Sequence, residues 1–271
     1  MIIRLIIGLV FNFICFCYSQ DIQVKMLTKT YANVPVIGKV YHYQTTYLAN
    51  DKKNTIQTTN IESRFIGFML GAFSDIKDTT GTLIDEEGQE WEYNINDKEY
   101  WKPSDENEQP SDDESSEDYN IISVSRWDHK EMENIHGFRT KKWTTTLEFS
   151  EFKWVIDEWS VKELSLLRLA DSLNRQVLIS QGINDTLIAI SSYGSGLSNN
   201  EMILGSTKLD SIYKANGIPP ITGEIIKGDV KKVEKGDDDS KMSFGIEMVE
   251  LYAESYDEKR FVIPLDYEFV D

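Results

Sequence analysis

The sequence predicts an α+β protein in which helices pack on one face of a curved antiparallel sheet. Apolar residues alternate with polar residues along most of the chain, which is the pattern of strands with one buried face. The middle of the chain instead repeats its apolar residues at intervals of three and four, as an amphipathic helix does. Strand patterns then resume from Ile221, so a parallel Rossmann-type sheet is not expected.

The clearest predicted strand covers residues 89–95, in which Trp91 and Tyr93 alternate with acidic side chains. A turn at Gly88 predicts a hairpin with the strand before it. The same alternation returns around Trp143 and around Trp154. These patterns favour antiparallel hairpins with one solvated face.

The last third of the chain contains two predicted irregularities. The apolar alternation that begins at Met242 changes face at residues 249–251, which predicts a β-bulge or an edge position. Pro264 should mark the edge of the last strand or a break in it, because proline cannot donate a ladder hydrogen bond.

The helical middle of the chain has recognisable start and stop signals. A capping box at residues 160–163 predicts the start of a helix whose apolar face runs through residues 166–177. That helix should end near Gly182. A second capping box at residues 198–201 predicts another helix, which Gly217 and the prolines after it would stop.

The first nineteen residues have the layout of a secretory signal peptide. Arg4 precedes an apolar run that is too short to span a membrane comfortably, and small residues allow cleavage after Ser19. We therefore expect a single mature domain over residues 20–271, periplasmic or secreted in a bacterium, and not an integral membrane protein.

Composition excludes several classes of function for the mature chain. Both cysteines, Cys15 and Cys17, lie in the predicted signal, so disulfides, thiol nucleophiles and cysteine-ligated metal sites are not expected. The net charge of −18 repels nucleic acid at long range. Residues 103–118 include eight acids and no base, and we interpret them as a disordered acidic loop between two strands.

Four segments resemble a family of exported bacterial proteins catalogued only as a domain of unknown function, which is itself similar to the LolA/LolB-type lipoprotein carriers. They are the glycine turn and strand at 135–143, Trp154, the turn at 217–219 and the closing F-x-I-P-x-x-Y segment at 261–267. In their order along the chain, the matches run from about residue 36 to the C-terminus. Thr140, where many relatives have cysteine, and Asp266, where glycine is usual, depart from the pattern.

The resemblance implies a half-barrel of antiparallel strands wrapped around helices, whose concave face can hold an acyl chain or another apolar ligand. On such a face Trp91, Tyr93, Trp143 and Trp154 would be the ligand-binding residues. The alternative is that these aromatic side chains fill an ordinary core. The resemblance supplies no catalytic residues.

No catalytic, metal or cofactor site is predicted. His129 and His136 lack the spacing of a zinc motif and are interpreted as surface or turn residues. Ser195 has tyrosine where a nucleophile elbow requires glycine. Two functions remain: an exported soluble binding protein that carries an apolar or lipidic ligand, or a structural protein of the cell envelope with a filled core that binds an envelope partner.

Overall fold

One open sheet of twelve strands dominates the computed structural model, which describes residues 22–34, 38–62, 79–103, 121–183, 206–237 and 242–270. The strand order is β12-β6-β5-β4-β3-β2-β1-β11-β10-β9-β8-β7, and all neighbours are antiparallel except β12 and β6. The strands are β1 (Ile22–Val34), β2 (Gly38–Ala49), β3 (Lys52–Glu62), β4 (Thr79–Ile84), β5 (Glu90–Asn94), β6 (Glu99–Trp101), β7 (Ser123–Ile135), β8 (Phe138–Glu148), β9 (Phe152–Val161), β10 (Glu224–Glu234), β11 (Met242–Ser255) and β12 (Glu268–Phe269).

The predicted antiparallel sheet is confirmed, and it is curved without closing into a barrel. The predicted hairpin at Gly88 is formed by β4 and β5. The predicted bulge is also present: Leu27 pairs with Glu250 and Thr28 with Met248, which leaves Val249 as the extra residue. That extra residue turns the following side chains to the other face, which explains the change in apolar alternation.

Two helices are described, α1 (Ser165–Ser180) and α2 (Ser206–Ala215). Gly182 ends α1 with a positive φ of 80°, and its N–H donates to the Ile179 carbonyl while the Ile183 N–H donates to Leu178. This Schellman arrangement satisfies the last carbonyls of the helix. Gly217 ends α2 in the same way, as the sequence predicts.

The predicted capping box at 160–163 is wrong. Ser160 lies inside β9, where it pairs with Lys141 and Ile225, and α1 begins at Ser165 after Leu164, which makes no side-chain cap. The strand continues because the side chains from Ile156 to Ser160 are all buried. Sheet pairing and burial therefore override the local capping signal.

Both described helices pack on the same face of the sheet, which we call the helix-covered face. Leu167 and Ala170 of α1 lie against clusters that contain Met248 of β11 and Leu48 of β2. Tyr213 of α2 lies against a cluster of β8, β9, β10 and β11 that includes Val230. These strand residues are almost fully buried, so the main apolar core lies between this face and the helices.

The opposite face is packed at one end only. After β11 the chain forms a 3₁₀ turn at Glu258–Phe261 and returns across β2 to β6 before β12. Phe261, 2% exposed, stacks on Tyr256 and belongs to a cluster with Leu83 and Tyr93. The closing segment, which contains Phe261 and Tyr267, therefore forms a second, smaller core with the strands on this side of the sheet.

Several predictions lie outside the described residues. These are the signal peptide at 1–19, most of the acidic loop at 103–118, Ser195 and the capping box at 198–201. Within the described ranges, neither helix has the length and hydropathy needed to cross a membrane.

Candidate functional site

The four aromatic residues predicted as a ligand site do not come together. Residues paired directly across an antiparallel ladder share a face, and the pairings place Trp91 and Tyr93 on the opposite face from Trp143 and Trp154. Seven strands lie between β5 and β8 in the sheet order. At a strand spacing of about 4.8 Å, the two pairs are separated by roughly 35 Å along the sheet.

Trp91 and Tyr93 belong to the small core under the closing segment. The buried Tyr93 hydroxyl donates to Asn54 Oδ1 at 2.7 Å, and the Asn54 amide donates to the Arg260 carbonyl at 2.6 Å. Burial raises the pKa of Tyr93 to about 12. A Cβ on Gly81, its partner on β4, would lie 2.0 Å from the Tyr93 ring, so glycine is required there. Tyr93 is thus held by packing on every side.

Trp143 and Trp154 are likewise engaged in packing on the helix-covered face. Trp143 is 7% exposed, and its indole N–H donates to Ser160 Oγ at 3.0 Å. Trp154 makes edge contacts with Phe152 and Phe244 at ring distances of 6.1 and 6.0 Å. The positions of these two rings accord with the core alternative for them.

A different group of aromatic side chains lies together on the face that neither α1 nor α2 covers. They share one face of β1, β2 and β11, and we call this surface the tyrosine face: Tyr31, Tyr41, Tyr43, Tyr47 and Tyr252. Lys29 lies among them, with its ammonium 5.6, 4.8 and 6.0 Å from the rings of Tyr31, Tyr41 and Tyr43. The negative faces of these aromatic rings attract the Lys29 ammonium.

Glu247 organises the lysines of the tyrosine face. Its carboxylate lies 3.3 Å from the Lys29 ammonium and 3.5 Å from that of Lys227, and His136 Nε2 lies 3.5 Å away. Burial pushes the pKa of Glu247 upward, but the two lysines outweigh burial and hold it below its usual value. Glu247 therefore stays ionised and fixes the positions of both ammonium groups.

Asp229 has the opposite electrostatic balance. Burial raises the pKa of its carboxyl to about 6, helped by Glu247 and opposed by Lys231. The Tyr31 hydroxyl donates to Asp229 Oδ1. Gly245 lies between these two residues in the register, and a Cβ there would approach both within 2.7 Å. The absence of a side chain at Gly245 permits this contact.

The network continues across β9 and β8 to His129 and His136, which the sequence predicts to be surface or turn residues. The Trp159 ring lies 4.9 Å from the ammonium groups of Lys142 and Lys227, and its N–H donates to Glu133 at 2.9 Å. His129 Nε2 is 2.9 Å from Thr144 Oγ1, whose hydroxyl donates to Asp157 at 2.6 Å. His129 therefore lies half-buried within β7 rather than in a turn, and Thr144 connects it to Asp157 of β9.

His136 also confirms the predicted turn. His136 and Gly137 connect β7 to β8 as a two-residue turn, and both have positive φ, 50° and 89°. This conformation matches the twist of a hairpin and favours glycine at the second position. The turn places the His136 imidazole 3.5 Å from the Glu247 carboxylate.

A cleft of about 410 Å³ opens at the end of the tyrosine face. The side chains that line it include three lysines, one glutamate, two tyrosine rings and two small polar residues: Lys29, Lys39, Lys227, Glu247, Tyr31, Tyr41, Asn33 and Ser243. Lys39 is exposed and has no ion-pair partner within the described ranges. The volume of the cleft lies within the range of small-molecule sites. The sequence contains the signal for this cleft as alternating lysine and tyrosine positions, but only sheet pairing aligns them.

A second cleft, of about 460 Å³, lies near the ends of β8, β9 and β10 and is lined by Phe149, Phe152, Glu234 and neighbouring residues. Phe149 and Phe152 stack on each other at 4.6 Å, so the apolar part of its wall is held by ring packing. Neither of these two clefts lies between the sheet and the helices.

Glu158 is an unexpected feature of the helix-covered face. Its side chain is 1% exposed, and neither carboxylate oxygen has a hydrogen-bond partner. It pairs with Trp143 on one side and with Gly228 on the other. Burial raises its pKa to about 7 in spite of the Arg126 charge. The acid therefore keeps its proton to a higher pH than an exposed glutamate does.

No three metal-ligating side chains converge among the residues that the structure describes. Comparisons with protein-family models, with curated proteins and with solved structures find no match to this chain. The resemblance to lipoprotein carriers therefore stays a prediction.

Proposed function

We propose that the protein is an exported, non-enzymatic binding protein that uses the tyrosine face as its binding surface. The observation that supports this role is the asymmetry of the sheet. One face is engaged by the apolar sides of α1 and α2, whereas the central part of the other presents half-buried tyrosines, ordered lysines and a cleft. Aromatic rings with polar ends are favoured at binding surfaces, because they contribute contact area at low entropic cost.

The same proposal includes export through a signal peptide at 1–19 and a sheet whose helix-covered face is the concave one. A packed interior supports the interaction-protein alternative, because Ile226, Met248 and Leu167 at the α1 contact are at most 1% exposed. Side chains buried to this degree leave no solvent-accessible room for an acyl chain at this contact. The partner would then be an envelope protein or a polar ligand that meets the sheet from outside.

An apolar or lipidic ligand carried between sheet and helices is the second candidate. The buried Glu158 favours it, because an unsatisfied carboxyl between two apolar clusters is a place where the polar end of a ligand gains a hydrogen bond. If the protein carries such a ligand, the Glu158 carboxyl binds its polar end, and the four predicted aromatic residues do not form the site.

Native mass spectrometry of residues 20–271 purified from their natural source tests both candidates. We expect a bound ligand or partner that is lost in Lys227→Glu on the tyrosine face and kept in Arg168→Glu, an exposed control on α1. Retention of a ligand by Lys227→Glu and its loss in Glu158→Leu would instead favour the apolar carrier. A uniformly unbound mass with no uptake of fluorescent fatty acids contradicts carriage.

A further inference from the structure

Most charged side chains that line the cleft on the tyrosine face are lysines, although Asp229 also lies 3.8 Å from the Lys227 ammonium. The chain carries 46 acids against 28 bases, yet the charged residues that line this cleft are three lysines and one glutamate. Solvent-exposed lysines distributed at random over so acidic a chain would be surrounded by carboxylates. A local excess of positive charge in a concave site concentrates anions.

The lysines are also positioned before any ligand arrives. Glu247 holds Lys29 and Lys227 at 3.3 and 3.5 Å, and the tyrosine rings limit the movement of Lys29 further. Ordered side chains lose less conformational entropy on binding than free ones. Lys39, exposed at the mouth and without an ion-pair partner in the described part of the chain, supplies a cation whose charge is not already neutralised.

The rest of the lining specifies more than charge. Tyr31 and Tyr41 pair directly across β1 and β2, so their rings lie side by side on one wall. Asn33 and Ser243 add neutral hydrogen-bonding groups on paired positions of β1 and β11. Aromatic faces, neutral polar groups and point-charge ammonium groups together suit a ring that carries hydroxyls and one anionic substituent.

We propose that this cleft binds a small acidic sugar, meaning a pyranose ring that carries a carboxylate or a phosphate group. Its anion lies against the Lys39 ammonium at the mouth, its ring stacks on Tyr31 or Tyr41, and its hydroxyls bond to Asn33 and Ser243. The inference rests on the tyrosine face as the binding surface and names its ligand class.

Isothermal titration of residues 20–271 with glucuronate, glucose 6-phosphate and glucose tests the inference. We expect at least one of the two anions to bind tenfold or more tightly than glucose, and the tighter anion identifies the substituent. Lys39→Gln should weaken that binding at least fivefold, and Tyr41→Leu should weaken it by a similar factor.

Lys231→Gln is the matched control, because Lys231 lies on the same face with its ammonium 3.8 Å from Asp157 but does not line the cleft. Equal effects of Lys39→Gln and Lys231→Gln would overturn the inference, since they would indicate long-range attraction rather than a site. Anions that bind no more tightly than glucose would also overturn it. The proposed function is tested separately by native mass spectrometry: it fails if the Lys227→Glu variant keeps its natural ligand or partner.

Discussion

At the scale of single residues, burial has two different outcomes for the acids of this sheet. Glu247 is 8% exposed, but two lysines surround it and its pKa falls. For Glu158, on the helix-covered face, only the Arg126 charge opposes the effect of burial, and the pKa rises to about 7. The difference follows from the partners on neighbouring strands, since Glu158 is flanked by Trp143 and Gly228. An uncompensated buried charge costs stability until it is protonated.

The pH dependence of stability tests Glu158. An unfolded glutamate has a pKa of about 4.3, so above that value the unfolded chain releases its proton before the folded chain does. The folded state therefore loses stability as pH rises from about 4.3 to 7, and the loss is complete above 7. Glu158→Gln should remove this loss and raise the free energy of unfolding at pH 8 by roughly 2–3 kcal/mol.

Urea denaturation at pH 5 and pH 8 measures the effect of that change. The variant should gain far more at pH 8 than at pH 5, whereas exposed Glu163→Gln should change little at either pH. A pH-independent difference between Glu158→Gln and the wild type would contradict an ionised, penalised carboxyl.

At the scale of elements, α1 shows how one face of a helix attaches it to the sheet. Leu167 is 1% exposed against Ile226 and Met248, whereas Leu169, two positions further on, is 41% exposed. The apolar spacing over residues 166–177 predicts the burial of Ala170 and Val177, because residues three and four apart lie on one side of a helix, but Leu167 falls outside that spacing. The start of the helix was not predictable from its capping residues, because sheet pairing keeps Ser160 in β9.

Substituting Leu167 and Leu169 separately by alanine distinguishes the contribution of packing to stability from that of helix propensity. We expect Leu167→Ala to lower the free energy of unfolding by about 2–4 kcal/mol, because it leaves a cavity between α1 and the sheet. Leu169→Ala should change it by less than about 0.5 kcal/mol. Chemical denaturation of both variants measures the difference, and comparable losses would place the buried face of α1 elsewhere.

At the scale of the whole molecule, the sheet is supported from opposite sides at its two ends. The helices cover β8 to β11 and the adjacent strands on one face, whereas the closing segment covers β4 to β6 on the other. At the β7 edge, Asp128 pairs with Trp143 and Met132 pairs with Lys141, so three residues of β7 lie opposite a single residue of β8 and form a bulge. A bulge of this kind protects an edge from pairing with another chain.

The two supports predict that the ends of the sheet unfold separately. Phe261→Ala removes the buried centre of the smaller core, so amides of β4, β5 and β6 should exchange with solvent much faster while β8, β9 and β10 keep their protection. Hydrogen exchange measured by mass spectrometry tests this, with Leu265→Ala, a fully exposed position, as the control. A uniform loss of protection over all twelve strands would indicate one cooperative unit.

Local sequence is enough to predict the strand periodicity, the irregularity at residues 249–251, the His136-Gly137 turn and the glycine ends of both helices, because each depends on residues adjacent in the chain. The face that each strand presents to its partners depends instead on the pairing of distant strands. The order of the strands moved Trp91 and Trp143 to distant places and opposite faces, and it assembled the lysines and tyrosines of β1, β2, β10 and β11 around one cleft. Local spacing fixes which residues alternate along a strand, but pairing between distant strands depends on packing across the whole sheet.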